Sequence, residues 1–129
     1  MKRIISVFGF VLLAAFVISA QLTFSVNDLL ALKRVGDPQL SPDGKAVAYV
    51  VGVVDKNANK AINQIWTMNV DGTRQRQITI ESSSSSSPRW SPDGKALAFA
   101  HKGQIWTMKP DGGDRKQVTT ISGGAGGPV

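Results

Sequence analysis

The chain is written twice over most of its length. Pro38 to Val50 aligns without gaps on Pro88 to Ala100, and Gln64 to Ile80 aligns without gaps on Gln104 to Thr120, with seventeen of these thirty positions identical. Background usage would give roughly two. An internal period constrains a fold more tightly than any local propensity, because each copy must be one unit whose apolar face is covered by its neighbour. The spacing is 50 residues from Pro38 to Pro88 and 40 from Pro88 to Pro128, and the ten extra residues of the first copy fall between Lys45 and Gln64.

Each copy reads as four short strands. The first is minimal, around Gln39-Leu40 and Arg89-Trp90, and runs into Ser41-Pro42-Asp43-Gly44 or Ser91-Pro92-Asp93-Gly94. Serine opens such a turn, proline fixes φ at its second position and glycine accepts positive φ at its fourth, which predicts a type I turn with a glycine bulge joining two strands. The second strand, Ala46 to Val50 or Ala96 to Ala100, is apolar on both sides, with Val47 and Tyr49 matched by Leu97 and Phe99. A strand of that kind needs cover on both faces. The third is Gln64 to Met68 or Gln104 to Met108, followed by the hairpin signal Asp71-Gly72 or Asp111-Gly112, and Gln77-Ile78-Thr79 or Gln117-Val118-Thr119 closes the unit.

Four antiparallel strands in about 40 residues, repeated and apolar on both faces, describe an all-β chain of β-propeller blades. The expected organisation is a first blade over residues 38–87, a second over 88–127, and the opening of a third at Pro128-Val129. Propellers close with typically 4 to 8 blades, so two blades cannot form a ring. Either several copies assemble, or this is the front of a longer protein, and the third copy opening at Pro128 favours the latter. Remaining blades or other chains are then needed to cover the open edges. Trp66, Trp90 and Trp106 recur within the strands and are expected in the blade cores, in preference to a peptide-stacking surface. The run from Ser82 to Ser87 reads as a flexible surface loop between blades, and 55–60 as a protruding hairpin tip.

Ahead of the repeats, Lys2 and Arg3 precede a fifteen-residue apolar run from Ile4 to Ile18, and Ser19-Ala20 supplies small residues before Gln21. Residues 1–20 are expected to be a secretory signal peptide cleaved between Ala20 and Gln21, with a retained anchor as the alternative; contact with a membrane is expected only during export, to a periplasm or the extracellular space. Residues 21–37 form a linker with a short helix: Ser25 and Asp28 make an S-x-x-D capping box, Leu29, Leu30 and Leu32 follow, Lys33 and Arg34 complement the last turn, and Gly36 stops it.

Composition narrows the chemistry. The chain has no cysteine, eight aspartates and one glutamate, Glu81. Thiol catalysis, disulfides and Cys-ligated metals are excluded, and so is a pair of glutamates for acid and base work. The aspartates Asp43, Asp71, Asp93 and Asp111 each precede a turn glycine, where aspartate is favoured without any metal, so no metal or cofactor is expected. The net charge of +6 is scattered, its stretch at Arg74 to Arg76 flanks a turn, and nucleic acid is not an expected partner. The lone histidine, His101, is expected in an exposed turn formed by His101-Lys102-Gly103.

Phe24 to Val51, with D-P-Q-L-S-P-D-G-K at 37–45, P-R-W-S-P-D-G-K at 88–95 and G-G-P-V at 126–129, resembles the opening of the propeller in secreted bacterial serine peptidases of the prolyl oligopeptidase (S9) family, the acylaminoacyl-peptidase and dipeptidyl-peptidase branches above all. TolB-like periplasmic propellers share the S-P-D-G-K repeat, and a non-catalytic binding module of that type is the alternative. The resemblance implies a propeller that acts as scaffold and size filter over a separate α/β-hydrolase domain, which would hold the catalytic Ser, Asp and His and receive oligopeptides. No G-x-S-x-G elbow occurs here, so no catalytic residue is assigned to this chain and no substrate-binding residue is named. The paired propeller glutamates of the dipeptidyl branch cannot be carried over onto Glu81 alone.

Overall fold

The computed structural model describes residues 23–80 and 82–129. The leader and the expected cleavage site at Ala20 and Gln21 lie outside the described residues, as does Glu81.

Helix α1, Val26–Ala31, begins at the capping box read from the sequence: the Ser25 hydroxyl accepts from the Asp28 backbone N–H at 3.2 Å, and the Asp28 carboxylate accepts from the Ser25 N–H at 2.8 Å. The helix ends sooner than expected. Leu32 is already extended, and Lys33 and Arg34 do not sit in a last helical turn. With no buried side chain the helix has nothing to hold another turn, whereas Arg34, Val35 and Gly36 find backbone partners on the next strand at Gly52, Val51 and Val50.

Two four-stranded antiparallel sheets follow, each a simple meander. The first holds β1 (Arg34–Leu40), β2 (Ala46–Asp55), β3 (Lys60–Asn69) and β4 (Arg76–Gln77); the second holds β5 (Ser85–Trp90), β6 (Leu97–His101), β7 (Gln104–Met108) and β8 (Lys116–Gln117). The ten residues present only in the first copy lengthen β2 and β3 into a ribbon of ten residues per strand against five in β6 and β7.

The first strand of each sheet is longer than the minimal pair of residues expected. It reaches back across Pro38 or Pro88 because a bulge absorbs the proline: the register shifts between Gly36 and Gln39 and between Ser86 and Arg89. Asp37 and Ser87, the residues before the two prolines, take positive φ of 48° and 53°. Proline has no N–H to give the ladder, so the strand detours around it and resumes.

That detour corrects the reading of the serine run. Ser85, Ser86 and Ser87 belong to β5, and the Ser85 side chain is fully buried. Ser82 to Ser84 are pinned along β3: the Ser84 hydroxyl accepts from Asn63 N–H at 3.1 Å, and Lys60 Nζ and Gln64 Nε2 donate to the carbonyls of Ser82 and Ser83. Serine fits because the run needs small side chains with a hydroxyl beside a neighbouring strand, a need that composition alone does not express.

The core lies between the sheets. Alternation places Ala48, Val50, Ile65 and Thr67 on one face of the first sheet, and Leu97, Phe99, His101, Trp106 and Met108 on one face of the second. Ala48, Ile65 and Ile78 join Leu97, Phe99 and Met108 in one buried cluster, with Trp90 and Trp106 packed against it. Burying Phe99, Ile65 and Leu97 contributes about 1.5–3 kcal/mol each. Trp66 lies on the opposite face of the first sheet, paired with Tyr49, and is half-buried.

Candidate functional site: the seam between the sheets

The turns that join the first two strands of each sheet are built alike. Gly44 N–H donates to the Ser41 carbonyl at 2.9 Å, and Gly94 N–H to that of Ser91 at 2.8 Å, with φ of 71° and 70° at the two glycines. The Ser41 and Ser91 hydroxyls donate to the carboxylates of Asp43 and Asp93 at 2.6 Å and accept from Ala46 and Ala96 N–H. Pro42 and Pro92 occupy the second turn positions on the surface. The serine hydroxyl, helped by the following lysine's backbone N–H, holds the Asp43 and Asp93 carboxyls below their ordinary value, and a Thr73 hydroxyl does the same to Asp71. All three carboxylates are thus satisfied within their own turns. Among the described residues no group of His, Asp or Glu could hold a metal ion.

A second repeated device closes each sheet. The Thr79 hydroxyl accepts from Ile65 N–H at 2.8 Å and donates to Gln64 Oε1 at 2.6 Å, while Gln77 Nε2 donates to the Thr79 carbonyl. Gln104, Ile105, Gln117 and Thr119 repeat it bond for bond. A threonine beyond the last two-residue strand thereby ties the fourth strand to the third. Gln64, Thr79 and their second copies stood identical in the sequence alignment, which was the available signal for this network.

The seam itself carries the long-range contacts. Arg89 Nη1 reaches both Asp37 carboxylate oxygens at 3.0 and 3.1 Å, and Trp90 Nε1 donates to the Gln39 carbonyl at 2.9 Å, so the first strand of the second sheet is clasped to the first strand of the first. The Arg115 guanidinium lies over the Phe99 ring at 5.3 Å. At Gly112, φ is 87° and a Cβ would stand 2.8 Å from the Ile78 carbonyl oxygen, so the hairpin of the second sheet touches the backbone of the first. Neither the clasp nor the close approach at Gly112 was legible in the sequence, since each joins one sheet to the other across a long separation in the chain.

His101 is not an exposed turn residue. It ends β6 opposite Gln104 and Ser85, is buried, and its Nδ1 lies 3.0 Å from the Ser85 hydroxyl and 3.1 Å from the Ser84 carbonyl. Its ring stands edge-on to Trp106 at 5.5 Å. The position matches Val51 of the first copy, an apolar residue that is buried as well. A serine and a histidine in hydrogen-bond contact are two parts of an acyl-transfer triad, but Ser85 is fully enclosed, so no peptide carbonyl can approach its oxygen. The contact is structural. Near the clasp, Trp90 lines an open cleft together with Thr67, Met68, Arg74 and Arg76, which places these two arginines beside the seam.

No family model matches the chain. It is 43% identical over 70 residues to dipeptidyl-peptidase 5 of Porphyromonas gingivalis, a match that covers 54% of this chain and 10% of that protein. Among solved structures, the acylaminoacyl peptidase of Pyrococcus horikoshii superposes with a TM-score of 0.61 at 29% identity, over 73% of this chain and 15% of that one. The β-propeller domain of the trilobed protease of Pyrococcus furiosus gives 0.52 at 30% identity, over 67% and 27%. A TolB protein of Agrobacterium tumefaciens shares the fold at 24% identity and a TM-score of 0.53, over 65% and 32%. The chain spans about a tenth of the length of the curated relatives it matches. The chain is thus a partial match to the propeller region of S9-family peptidases, a fold that it shares with TolB-like propellers.

Proposed function

We propose that this chain is the leading part of the propeller of an exported S9-type serine peptidase, serving as scaffold and size filter over a separate α/β-hydrolase domain that cleaves oligopeptides. The observation that carries the reading is the 43% identity to dipeptidyl-peptidase 5, joined to a structure in which the one histidine is enclosed and every turn aspartate is satisfied locally. Such residues suit a wall and leave the chemistry to another domain. A closed wall selects by size: short unfolded peptides pass through narrow entrances and folded proteins do not. The leader Lys2 to Ala20 supports export, since a charged start, an apolar run and small residues are what the export machinery reads.

The test is to translate the reading frame past Val129, express the product and assay it on a series of peptides of rising length. Further S-P-D-G repeats, then G-x-S-x-G followed by Asp and His, with turnover that falls as peptides lengthen, are expected. Turnover should be abolished by replacing the downstream serine and altered in its length preference by Arg89→Ala in the clasp. A frame that closes after about six blades with no G-x-S-x-G would overturn the reading in favour of a TolB-like binding module.

A further inference from the structure

Two units built alike reveal by their differences what one does and the other does not. The hairpin after β3 and its counterpart after β7 share a backbone, with Arg74 and Asp114 both in the left-handed conformation at φ 54° and 51°. Aspartate is favoured there and arginine is not. In the second hairpin Asp114 pairs with Lys109 at 2.6 Å, so the two charges cancel. In the first, Asn69 stands in the place of Lys109 and Arg74 in that of Asp114. The closed pair is gone, and an arginine is held where its backbone is strained. Among the described residues neither Arg74 nor Arg76 makes an ion pair, and the neighbouring Asp71 already accepts the Thr73 hydroxyl at 2.6 Å. Strain kept in one copy and avoided in the other points to a use for that side chain.

The surroundings show what the use is. Arg76 lies opposite Thr67, on the side of the first sheet that meets the second. With Arg74 it borders the open cleft of about 440 Å³ whose other wall carries half-buried Trp90 and Pro110 from the second sheet. Both walls belong to the two described sheets, so further units packed on the outer faces leave the cleft as it is. Past Ala46, Trp90 and Pro110 the cleft runs on to the turns that hold Asp43 and Asp93. One end is cationic, the middle is apolar and the far end is anionic. We infer that this cleft binds a separate, extended peptide: acidic side chains lie on Arg74 and Arg76, an aromatic residue lies against Trp90 and Pro110, and a cationic residue lies between Asp43 and Asp93. Guanidinium groups match carboxylates in shape and charge, and an indole gives a ring a flat apolar face. The role is binding without chemistry and stands apart from the peptidase reading, so either can fail while the other holds.

The probe is acetyl-Lys-Ala-Phe-Asp-Asp-amide, its ends blocked so that only side chains carry charge, titrated into the isotope-labelled whole chain and followed by NMR. The Trp90 indole signal, identified by its loss in Trp90→Phe, should shift together with the Arg74 and Arg76 amides, while the Trp66 and Trp106 indoles stay in place. Replacing both aspartates of the probe by asparagine should weaken binding about tenfold or more, the worth of one charge-assisted hydrogen bond. Raising salt from about 50 to about 500 mM should weaken it severalfold. Arg74→Asn should also bind about tenfold more weakly, yet melt at or above the temperature of the parent, because asparagine suits the left-handed backbone that arginine strains. Equal binding of the asparagine probe, unchanged binding by Arg74→Asn, or shifts that bypass Trp90 would overturn the proposal. So would the absence of any shift up to about 1 mM probe. The titration of the unaltered chain needs no variant, so misfolding of one leaves the proposal open to refutation.

Discussion

A methyl group at Gly112 has no room, because the Ile78 carbonyl oxygen stands where it would go and the backbone sits at φ 87°. Gly72 has the same left-handed backbone, at 82°, and open space around it. Gly72→Ala should therefore cost only the left-handed penalty, about 1–2 kcal/mol, and Gly112→Ala roughly twice that, a difference that urea unfolding of the two variants will read. A second pair separates burial from chemistry. Thr79→Val removes a hydroxyl that serves a fully buried site and should cost about 1–3 kcal/mol, while Thr119→Val breaks the same bonds where water can replace them and should cost less. The turn aspartates give a pH signature. The folded pKa values of Asp43 and Asp93 are depressed, so their contribution is fully present above the ordinary value of 3.8 and is lost as pH falls through the folded value. The difference in melting temperature between the parent and Asp43→Asn should be largest at about pH 7 and should shrink below about pH 4.

The strands and turns that recur with identical residues were readable from the repeat alone: S-P-D-G fixed two hairpins, and Gln-Ile-Trp-Thr-Met marked β3 and β7. What was missed lies where the copies differ. Ser85, Ser86 and Ser87 occupy the places of Val35, Gly36 and Asp37, so no identity signals a strand, and pairing with Ala100 and His101 decides the matter instead. The end of α1 was misplaced for a related reason, since a capping box fixes a beginning whereas competition from β1 fixes the end. Within the seam, the Arg89 to Asp37 clasp joins residues 52 apart and no spacing rule points to it. The ribbon of β2 and β3 offers a prediction at this scale. Replacing 54–61 with a short turn like that after His101 should leave the ladder from Ala46 to Val51 intact while removing both Ala61, a partner of Ser84, and Lys60, the partner of Ser82. Limited proteolysis should then cut within 82–84 at least severalfold faster than in the parent, and equal rates would show that the serines are held by something else.

One seam holds the whole described fold together, so Phe99→Ala, at its centre, should cost about 3–5 kcal/mol, enough to abolish cooperative melting in a marginal pair of sheets. The chain by itself should show no turnover of peptide substrates, and activity that survived purification but vanished with His101→Ala would contradict the structural role given to that histidine. Chains of near-identical units face one hazard that unrepeated chains do not, which is folding one unit out of phase, with the strands of one copy paired into the place of the other. The unequal hairpins work against that error. A slip by one unit would set a long arm where a short one belongs, strand about five residues on each side without partners, and carry the serine tether away from its track. The insertion that spoils the symmetry of the sequence therefore acts as a phase mark, giving two otherwise interchangeable units a fixed order.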